Sequence, residues 1–199
     1  MKVYDHIGES WYNIRHHTIF RKELSELNEK WKGGRLLNIG CAHGPDFVPF
    51  NPEKFFFYGT DSSKELVKKK KKYARKKGLV FRNCVSDMRN LPYRESSFDY
   101  LVCIASLHHL LERKERVEAL KEMARVLSGR GFITVWDREN PDLPPGKKIT
   151  KEWNKSGQVL KRQYYIYDRE ELDEELEEAG FLSKIRSDGR NLLAEIKLK

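Results

Sequence analysis

The 199-residue sequence is poor in cysteine and contains no long hydrophobic run. Its three cysteines, Cys41, Cys84 and Cys103, are odd in number and lack the spacing of zinc ligands, so we expect reduced structural thiols and no metal site. No apolar stretch is long enough to span a membrane, and the charged N-terminus lacks the hydrophobic core of a signal peptide. We therefore expect a soluble, cytoplasmic protein.

Linker-like sequence is also missing. No repeat or Ser/Pro tract divides the chain, and its length suits one domain with a sizeable core. We predict a single domain over residues 1–199, with an N-terminal substrate segment at 1–33 and a polar insertion at 138–167. Glutamine occurs only twice while charged residues make up 35% of the chain, a balance typical of heat-adapted proteins.

Hydrophobic runs alternate with amphipathic segments along the chain. This alternation predicts an α/β fold with a mostly parallel twisted sheet, helices on both faces and a C-terminal antiparallel hairpin. The predicted strands lie near 35–40, 55–60, 79–84, 98–104, 130–137, 181–187 and 192–197, and the predicted helices near 18–31, 62–77, 113–127 and 168–179. Ligands of such sheets bind outside the carboxyl ends of the strands.

The turn after the first predicted strand is the most informative segment. Gly40, Ala42 and Gly44 form a Gly-x-Ala-x-Gly run, in which small residues allow a tight turn and close approach of a ligand. A nucleotide-cofactor site and a plain strand-to-helix turn both fit this run alone. Asp61 ends the second strand, where an acid accepts hydrogen bonds from both ribose hydroxyls, and Asp87 ends the third. These two acids favour a cofactor site.

Positive charge is concentrated first in residues 64–77, which hold nine Lys or Arg and one acid on a predicted helix. Such density suits either a solvated helix face or a surface that binds the phosphates of a polyanion. Lys69, Lys71 and Lys72 are the candidate phosphate contacts. Residues 168–178, by contrast, hold eight acids and one arginine.

The second basic segment, residues 147–162, carries six positive charges close to aromatic residues. Cations among aromatic rings suit single-stranded or looped RNA, because phosphates need charge and splayed bases need flat partners. Lys147, Lys148 and Trp153 are the candidate contacts in this segment. We therefore expect a nucleic-acid partner.

Several segments together resemble the successive motifs of Rossmann-like S-adenosylmethionine-dependent methyltransferases of the type 11 group. These segments are the turn at 36–44, Gly59-Thr60-Asp61-Ser62, Ser86-Asp87-Met88, Ser97-Phe98-Asp99, residues 104–110 and residues 122–127. More narrowly, the chain resembles the tRNA wobble-uridine carboxymethyl methyltransferases, through Tyr4-Asp5, Asn13-Ile14-Arg15, His108-His109, Val135-Trp136 and Tyr164-Tyr165. The resemblance runs nearly end to end.

That resemblance implies S-adenosyl-L-methionine as the cofactor. The glycine-containing turn would lie along the methionine part, Asp61 would hold the ribose, Asp87 would accept from the adenine amino group, and Met88 would pack near the ring. The predicted cofactor-binding residues are Asn38, Gly40, Ala42, Gly44, Asp61, Ser62, Asp87, Met88, Ile104 and Ala105.

Asn38 departs from the resembled superfamily, which usually has an acid at this position. An amide still accepts a hydrogen bond, but it lacks the negative charge that favours the cofactor's ammonium group. Cofactor affinity would therefore be reduced, or the charge would come from another residue.

Candidate catalytic residues are Arg15, His108 and His109. A guanidinium binds a carboxylate or a phosphate in bidentate fashion, so Arg15 either holds the acceptor group or is a surface arginine. The two histidines either position substrate or, with a neutral acceptor, remove a proton, or else they bond nearby backbone as structural residues. Trp136 either stacks on a base or fills the sheet.

The resemblance implies methyl transfer to the carboxylate of a carboxymethyl-type wobble uridine in tRNA, giving a methyl ester. Because that carboxylate is ionised at neutral pH, no general base is needed. A methyltransferase that acts on a small metabolite and a cofactor-binding adaptor without turnover both stay open. The resemblance also implies a small zinc-binding activator protein, for which a strand at the sheet edge near 79–85 offers unpaired backbone groups.

Overall fold

The computed structural model describes residues 3–155 and 158–199. Residues 1 and 2 of the predicted N-terminal segment, and residues 156 and 157 of the predicted basic segment, lie outside that description. The helices are α1 (Val3–Ile14), α2 (Arg21–Lys30), α3 (Lys64–Lys77), α4 (Arg113–Val126) and α5 (Arg169–Glu178). The strands are β1 (Gly34–Ile39), β2 (Phe55–Asp61), β3 (Phe81–Val85), β4 (Phe98–Ile104), β5 (Leu127–Trp136), β6 (Lys148–Lys155), β7 (Gln158–Tyr165), β8 (Phe181–Ser187) and β9 (Asn191–Leu198).

The main sheet has seven strands in the order β3-β2-β1-β4-β5-β9-β8. Strands β1 to β5 run parallel, β9 lies antiparallel to β5, and β8 pairs antiparallel with β9. This confirms the predicted α/β fold with a mostly parallel sheet and a C-terminal antiparallel hairpin. The strand order reverses between β1 and β4, and a crevice opens at such a switch point.

Hydrophobic side chains cover both faces of the central strands. In β1, Leu36 belongs to the apolar cluster beneath α2, while the next residue, Leu37, belongs to the cluster beneath α4 and α5. In β4, Leu101 belongs to the cluster beneath α4 and α5, and Val102 belongs to the cluster beneath α2. Parallel strands that are buried on both faces read as continuous apolar runs, which explains why these strands could be predicted closely.

The cysteines are free thiols, of which Cys41 and Cys103 are buried and Cys84 is partly buried. Burial raises the pKa of Cys103 to about 12 and that of Cys41 well above its ordinary value. Across the described residues, no group of three metal-type side chains comes together. Nor does this part of the chain contain a helix long and apolar enough to cross a membrane.

Helix α1 differs from the sequence prediction, which places a substrate segment at 1–33 and a helix only from residue 18. A glycine in its middle weakens the helical pattern, yet a Cβ on Gly8 would lie only 3.0 Å from the Glu65 Cβ. Gly8 therefore lets α1 pack closely on α3. The Asp5 carboxylate strengthens this contact by accepting from the Ser63 hydroxyl at 2.8 Å.

The predicted polar insertion, residues 138–167, contains a second two-stranded sheet formed by β6 and β7. Trp153 and Tyr164 lie on the inner face of this hairpin, but so do the charged residues Lys151 and Arg162. Charges at inward positions break the alternation of apolar and polar residues by which a half-buried strand is recognised. For that reason the sequence pattern does not predict the hairpin.

A buried ion pair joins α4 to α5. Arg116 donates to Glu175 at 2.7 Å, and both side chains are only 2% exposed. The Arg116 guanidinium carbon lies 3.6 Å from the centre of the Tyr165 ring, and the Tyr167 hydroxyl donates to Glu175 at 2.9 Å. The pair therefore also anchors the chain where it leaves the β6–β7 hairpin.

We predict that Glu175→Gln lowers the free energy of unfolding by about 3–5 kcal/mol, because it leaves the Arg116 charge buried without a counter-charge. Glu177→Gln is the matched control, since Glu177 forms an exposed pair with Lys199, and it should leave stability almost unchanged. Urea unfolding of both variants measures the difference. Equal losses of stability in the two variants would show that the buried ion pair contributes no more to stability than the exposed one.

Candidate active site

A cavity of about 370 Å³ opens at the carboxyl edge of the parallel strands. Its base is formed where β1, β2 and β4 end, at Ile39, Asp61 and Ile104, and Trp136 at the end of β5 also lines it. Helix α1 and the β6–β7 hairpin cover the cavity from above and contribute Trp11 and Arg162 to its lining. The cavity occupies the switch-point crevice at which such sheets bind ligands.

Tight backbone turns form two walls of the cavity. Gly40 has φ +72°, and a Cβ there would lie 2.1 Å from the Ser106 Oγ. Ala42 and Ala105 have φ +47° and +49°, in the left-handed region that non-glycine residues rarely adopt. All three residues line the cavity. Strained backbone of this kind is typical of ligand sites.

Asp61 joins the turn after β1 to the start of α3 beside the cavity. Its carboxylate accepts from the Ala42 N–H and from the Ser63 N–H, each at 2.8 Å. Ser63 in turn caps α3 by accepting from the Leu66 N–H at 3.2 Å. Burial, aided by the nearby Asp5, raises the pKa of Asp61 to about 6, even though both backbone hydrogen bonds oppose that shift.

Met88 lines the cavity, but Asp87 does not. Both carboxylate oxygens of Asp87 accept from Arg89, at 2.6 and 3.0 Å. These hydrogen bonds hold the pKa of Asp87 below its ordinary value despite partial burial. The structure therefore places Asp87 in an ion pair at the end of β3, outside the cavity.

Asn38 and Gly44 also lie outside the cavity lining. Gly44 has φ +102°, and a Cβ there would lie 2.5 Å from the Phe81 ring, so this glycine lets the turn pack against β3. The Asn38 side chain is fully buried, and its amide donates to Asp46 at 3.4 Å. The predicted cofactor residues that do line the cavity are Gly40, Ala42, Asp61, Ser62, Met88, Ile104 and Ala105.

His108 and His109 both line the cavity as neutral imidazoles. Nδ1 of His108 accepts from the Trp136 N–H at 3.1 Å, and burial lowers the pKa of His108 well below its ordinary value. The Tyr4 hydroxyl lies 3.1 Å from Nε2 of His109, whose Nδ1 lies 3.4 Å from the Gln163 carbonyl. Burial lowers the pKa of His109 to about 4. Because Nδ1 of His108 accepts, its Nε2 carries the proton, and both ring nitrogens of His109 have partners, so neither histidine is a free base.

Aromatic and cationic side chains form a layer above the cavity, which we call the roof. The Arg162 guanidinium carbon lies 4.9 Å from the Trp153 ring and 5.5 Å from the Trp11 ring, and the buried Arg162 Nε has no partner among the described residues. The roof consists of Trp11, Trp136, Lys151, Trp153, Arg162 and Tyr164. Within it, Trp136 and Tyr164 stack at 4.3 Å. Arg15 also lines the cavity, beside the roof.

The predicted RNA contacts at the start of the hairpin are paired with acids of the chain itself. Lys147 lies 2.6 Å from Glu171, and Lys148 lies 2.7 Å from Glu112. Among the predicted contacts in this segment, Trp153 does belong to the roof. The sequence shows the cations and rings of this segment, but it does not reveal the strand register that turns Lys151 and Arg162 toward the cavity.

The three predicted contacts on α3 are placed differently from one another. Lys69 forms an ion pair with Glu9 of α1, whereas the Lys72 Nζ lies 5.2 Å from the centre of the Tyr12 ring. Lys71 is exposed, and no described acid lies within ion-pair distance of it. The basic face of α3 therefore keeps much of its positive charge toward solvent.

The fold and the cavity together define a Rossmann-like domain that binds a nucleotide-type cofactor. Known proteins agree: the methyltransferase domain family matches residues 37–135. A tRNA (carboxymethyluridine(34)-5-O)-methyltransferase of Arabidopsis thaliana is 34% identical over 161 residues, which are 76% of this chain and 38% of that protein. The chain thus spans less than half the length of this relative.

Solved structures show the same architecture. The PH0226 protein of Pyrococcus horikoshii superposes with a TM-score of 0.76 at 20% identity, over 100% of this chain and 96% of that one. An S-adenosylmethionine-bound amino pentose methyltransferase of Micromonospora echinaspora superposes with a TM-score of 0.70 at 18% identity, over 95% of each chain. This chain belongs to the S-adenosylmethionine-dependent methyltransferase family, and S-adenosylmethionine is its cofactor.

We predict that Gly40→Ala destabilises the protein by about 2–5 kcal/mol, from left-handed backbone strain and collision with Ser106. Gly78→Ala is the matched control, because Gly78 has a similar φ of +65°, while no described atom beyond its own chain neighbours lies within 4 Å of the place that a Cβ would take. Gly78→Ala should lower the free energy of unfolding only by the backbone strain, about 1–2 kcal/mol. Thermal unfolding of both variants measures the collision as the difference, and equal losses would contradict the close contact.

Proposed function

We propose that the protein methylates the carboxylate of a carboxymethyl-type wobble uridine of tRNA, with S-adenosylmethionine as the methyl donor. The observation that carries this proposal is the roof, where cations and flat rings face the same cavity as the cofactor turn. A modified uridine that bears a carboxylate presents one negative group and one flat ring. The relative from Arabidopsis thaliana, whose name specifies carboxymethyluridine, supports the same acceptor.

In this proposal the cofactor lies on the sheet side of the cavity. Gly40 and Ala42 would follow its methionine part, Asp61 would accept from the ribose hydroxyls, and Met88 would pack against the adenine. Ser62, Ile104 and Ala105 would complete the walls. The raised pKa of Asp61 fits a buried carboxylate that retains the capacity to accept hydrogen bonds from a ligand,.

The reaction requires alignment more than acid or base chemistry. S-adenosylmethionine would supply an activated methyl group, which would pass to a carboxylate oxygen while the electron pair of the methyl–sulfur bond stays on the sulfur. No proton moves in this step. Two neutral histidines, each with a hydrogen-bond partner in the fold, are compatible with an acceptor that is already ionised, and their role would be to hold Trp136 and Tyr4 in place.

The acceptor would bind against the roof. Arg162, whose Nε has no partner in the part of the chain that the structure describes, would hold the carboxylate together with Arg15, because a guanidinium forms charge-assisted hydrogen bonds with carboxylates. Trp136 and Tyr164, stacked at 4.3 Å, offer aromatic faces for the uracil ring,. The remainder of the tRNA would follow the basic face of α3, which starts beside the cavity.

The zinc-binding activator would use the free edge of the sheet. Strand β3 occupies one edge of the seven-stranded sheet, as predicted, and Val80 beside it is 88% exposed. On the neighbouring strand β2, Phe56 is 71% exposed. Unpaired backbone with adjacent exposed apolar side chains is the kind of surface to which a partner adds a strand.

A small-molecule acceptor is the second candidate, and the covered cavity favours it. Trp11 of α1 and Trp153 of β6 approach to 5.7 Å above the cofactor turn, so a macromolecule reaches the site only by inserting a single group beneath the roof. If the acceptor is a small molecule, the lysines of α3 and Arg162 of the roof do not bind tRNA.

Incubation with labelled S-adenosylmethionine and either total tRNA or a small-metabolite extract tests the proposal. We predict label in tRNA, and a loss of kcat/KM of about 10- to 100-fold in Arg162→Ala, because a charge-assisted hydrogen bond is removed. Lys161→Ala, one residue away on the opposite face of β7, is the control. Label only in the metabolite fraction, with or without the candidate activator, would select the small-molecule enzyme.

Cofactor affinity should fall about tenfold from pH 7 to pH 5, as Asp61, with its pKa near 6, takes up a proton and becomes a weaker acceptor for the ribose,. Stability without cofactor shifts in the opposite sense. Since the folded pKa lies above the ordinary 3.8, ionisation costs stability as pH rises through that interval. Calorimetry on wild type and Asp61→Asn measures the effect. An equal pH dependence in both proteins would assign it to another group.

A further inference from the structure

Asp61 is not the only carboxylate that lines the cavity. Asp46 lies in the short 3-10 helix Pro45–Phe47, two residues beyond the turn at Gly44. The residue is 7% exposed, and its side chain forms part of the cavity lining. It has no part in the reaction as described so far. A buried carboxylate with no matching cation is costly unless a ligand supplies one.

The surroundings of Asp46 stabilise its charge only in part. The Asn38 amide donates to it at 3.4 Å, and Thr18 provides a second hydrogen bond. Arg15 acts on it at longer range, yet burial still raises the pKa of Asp46 above its ordinary value. The Asn38 Oδ1, also buried, has no partner among the described residues. An unsatisfied acceptor therefore lies beside Asp46, and Asp46 itself lines the cavity, where a positively charged donor of a ligand can reach it.

The cofactor contains one such donor. Its ammonium group belongs to the methionine part, the same part that would follow the turn between Gly40 and Gly44. We propose that Asp46 binds the ammonium of S-adenosylmethionine and supplies the negative charge that Asn38 lacks. In this arrangement the acid stands at the far end of the turn instead of on the strand, and Asn38 positions it through the amide hydrogen bond.

A different role for Asp46 would be to orient Arg15 toward the cofactor's carboxylate. The two roles differ in the ligand group that is recognised. S-adenosylhomocysteine carries both ammonium and carboxylate, whereas its analogue with hydrogen in place of the amino group carries the carboxylate alone. Binding of this pair of ligands therefore separates the roles, and it does so without any methyl acceptor, so the result is independent of the tRNA proposal.

Calorimetry of both ligands with wild type and Asp46→Asn is the test. Wild type should prefer S-adenosylhomocysteine over the deaminated analogue by about 10- to 100-fold, and Asp46→Asn should reduce that preference to within about threefold. The double variant Asn38→Asp/Asp46→Asn, which returns the acid to the strand, should restore much of the preference. Thermal unfolding of each variant checks that the fold is kept.

Two results would overturn the proposal. If Asp46→Asn weakens both ligands by the same factor, the carboxylate acts through Arg15 or through the fold. If it weakens neither, Asp46 does not face the cofactor. Arg15→Ala serves as the comparison variant, because Arg15 carries no negative charge to bind the ammonium, so its loss should leave the preference between the two ligands intact.

Discussion

The cavity depends on one carboxylate, Asp61, which holds the turn after β1 to the start of α3. It accepts from Ala42, whose backbone is in the left-handed region, and from Ser63. Ser63 then bonds Asp5, which anchors α1 over the cavity, and α1 carries Trp11 to its contact with Trp153. The position of α1, and with it the position of Trp11 in the roof, therefore depends on the hydrogen bonds that Asp61 makes at the base of the cavity.

This arrangement separates charge across the cavity. The acids Asp46 and Asp61 line the cavity beside the turn after β1, whereas Lys151 and Arg162 line it at the roof. A positively charged donor is favoured beside the two acids and a negatively charged acceptor at the roof, which is the order that the proposed methyl transfer would need. The histidines between them stay neutral because burial disfavours their charged forms.

The sheet and its strand ends were predictable because apolar runs report burial directly, and Gly40 and Asp61 could be located from their positions after those runs. The covering elements were not. In α1 a glycine serves close packing on α3, and in the hairpin Lys151 and Arg162 occupy inward positions, so local pattern misleads in both. Contacts such as that between Tyr4 and His109, 105 residues apart in sequence, depend on tertiary folding and leave no local signal.

The most direct test of the account is the chemical stability of the methylated product. Labelled tRNA from the methyl-transfer reaction should be treated with mild alkali, and the volatile label should be measured. A methyl ester on the uridine side chain predicts release of the label as methanol and a nucleoside that reverts to the carboxylate. Label that stays on the nucleoside would show methylation of a ring or ribose atom and would contradict the carboxylate acceptor.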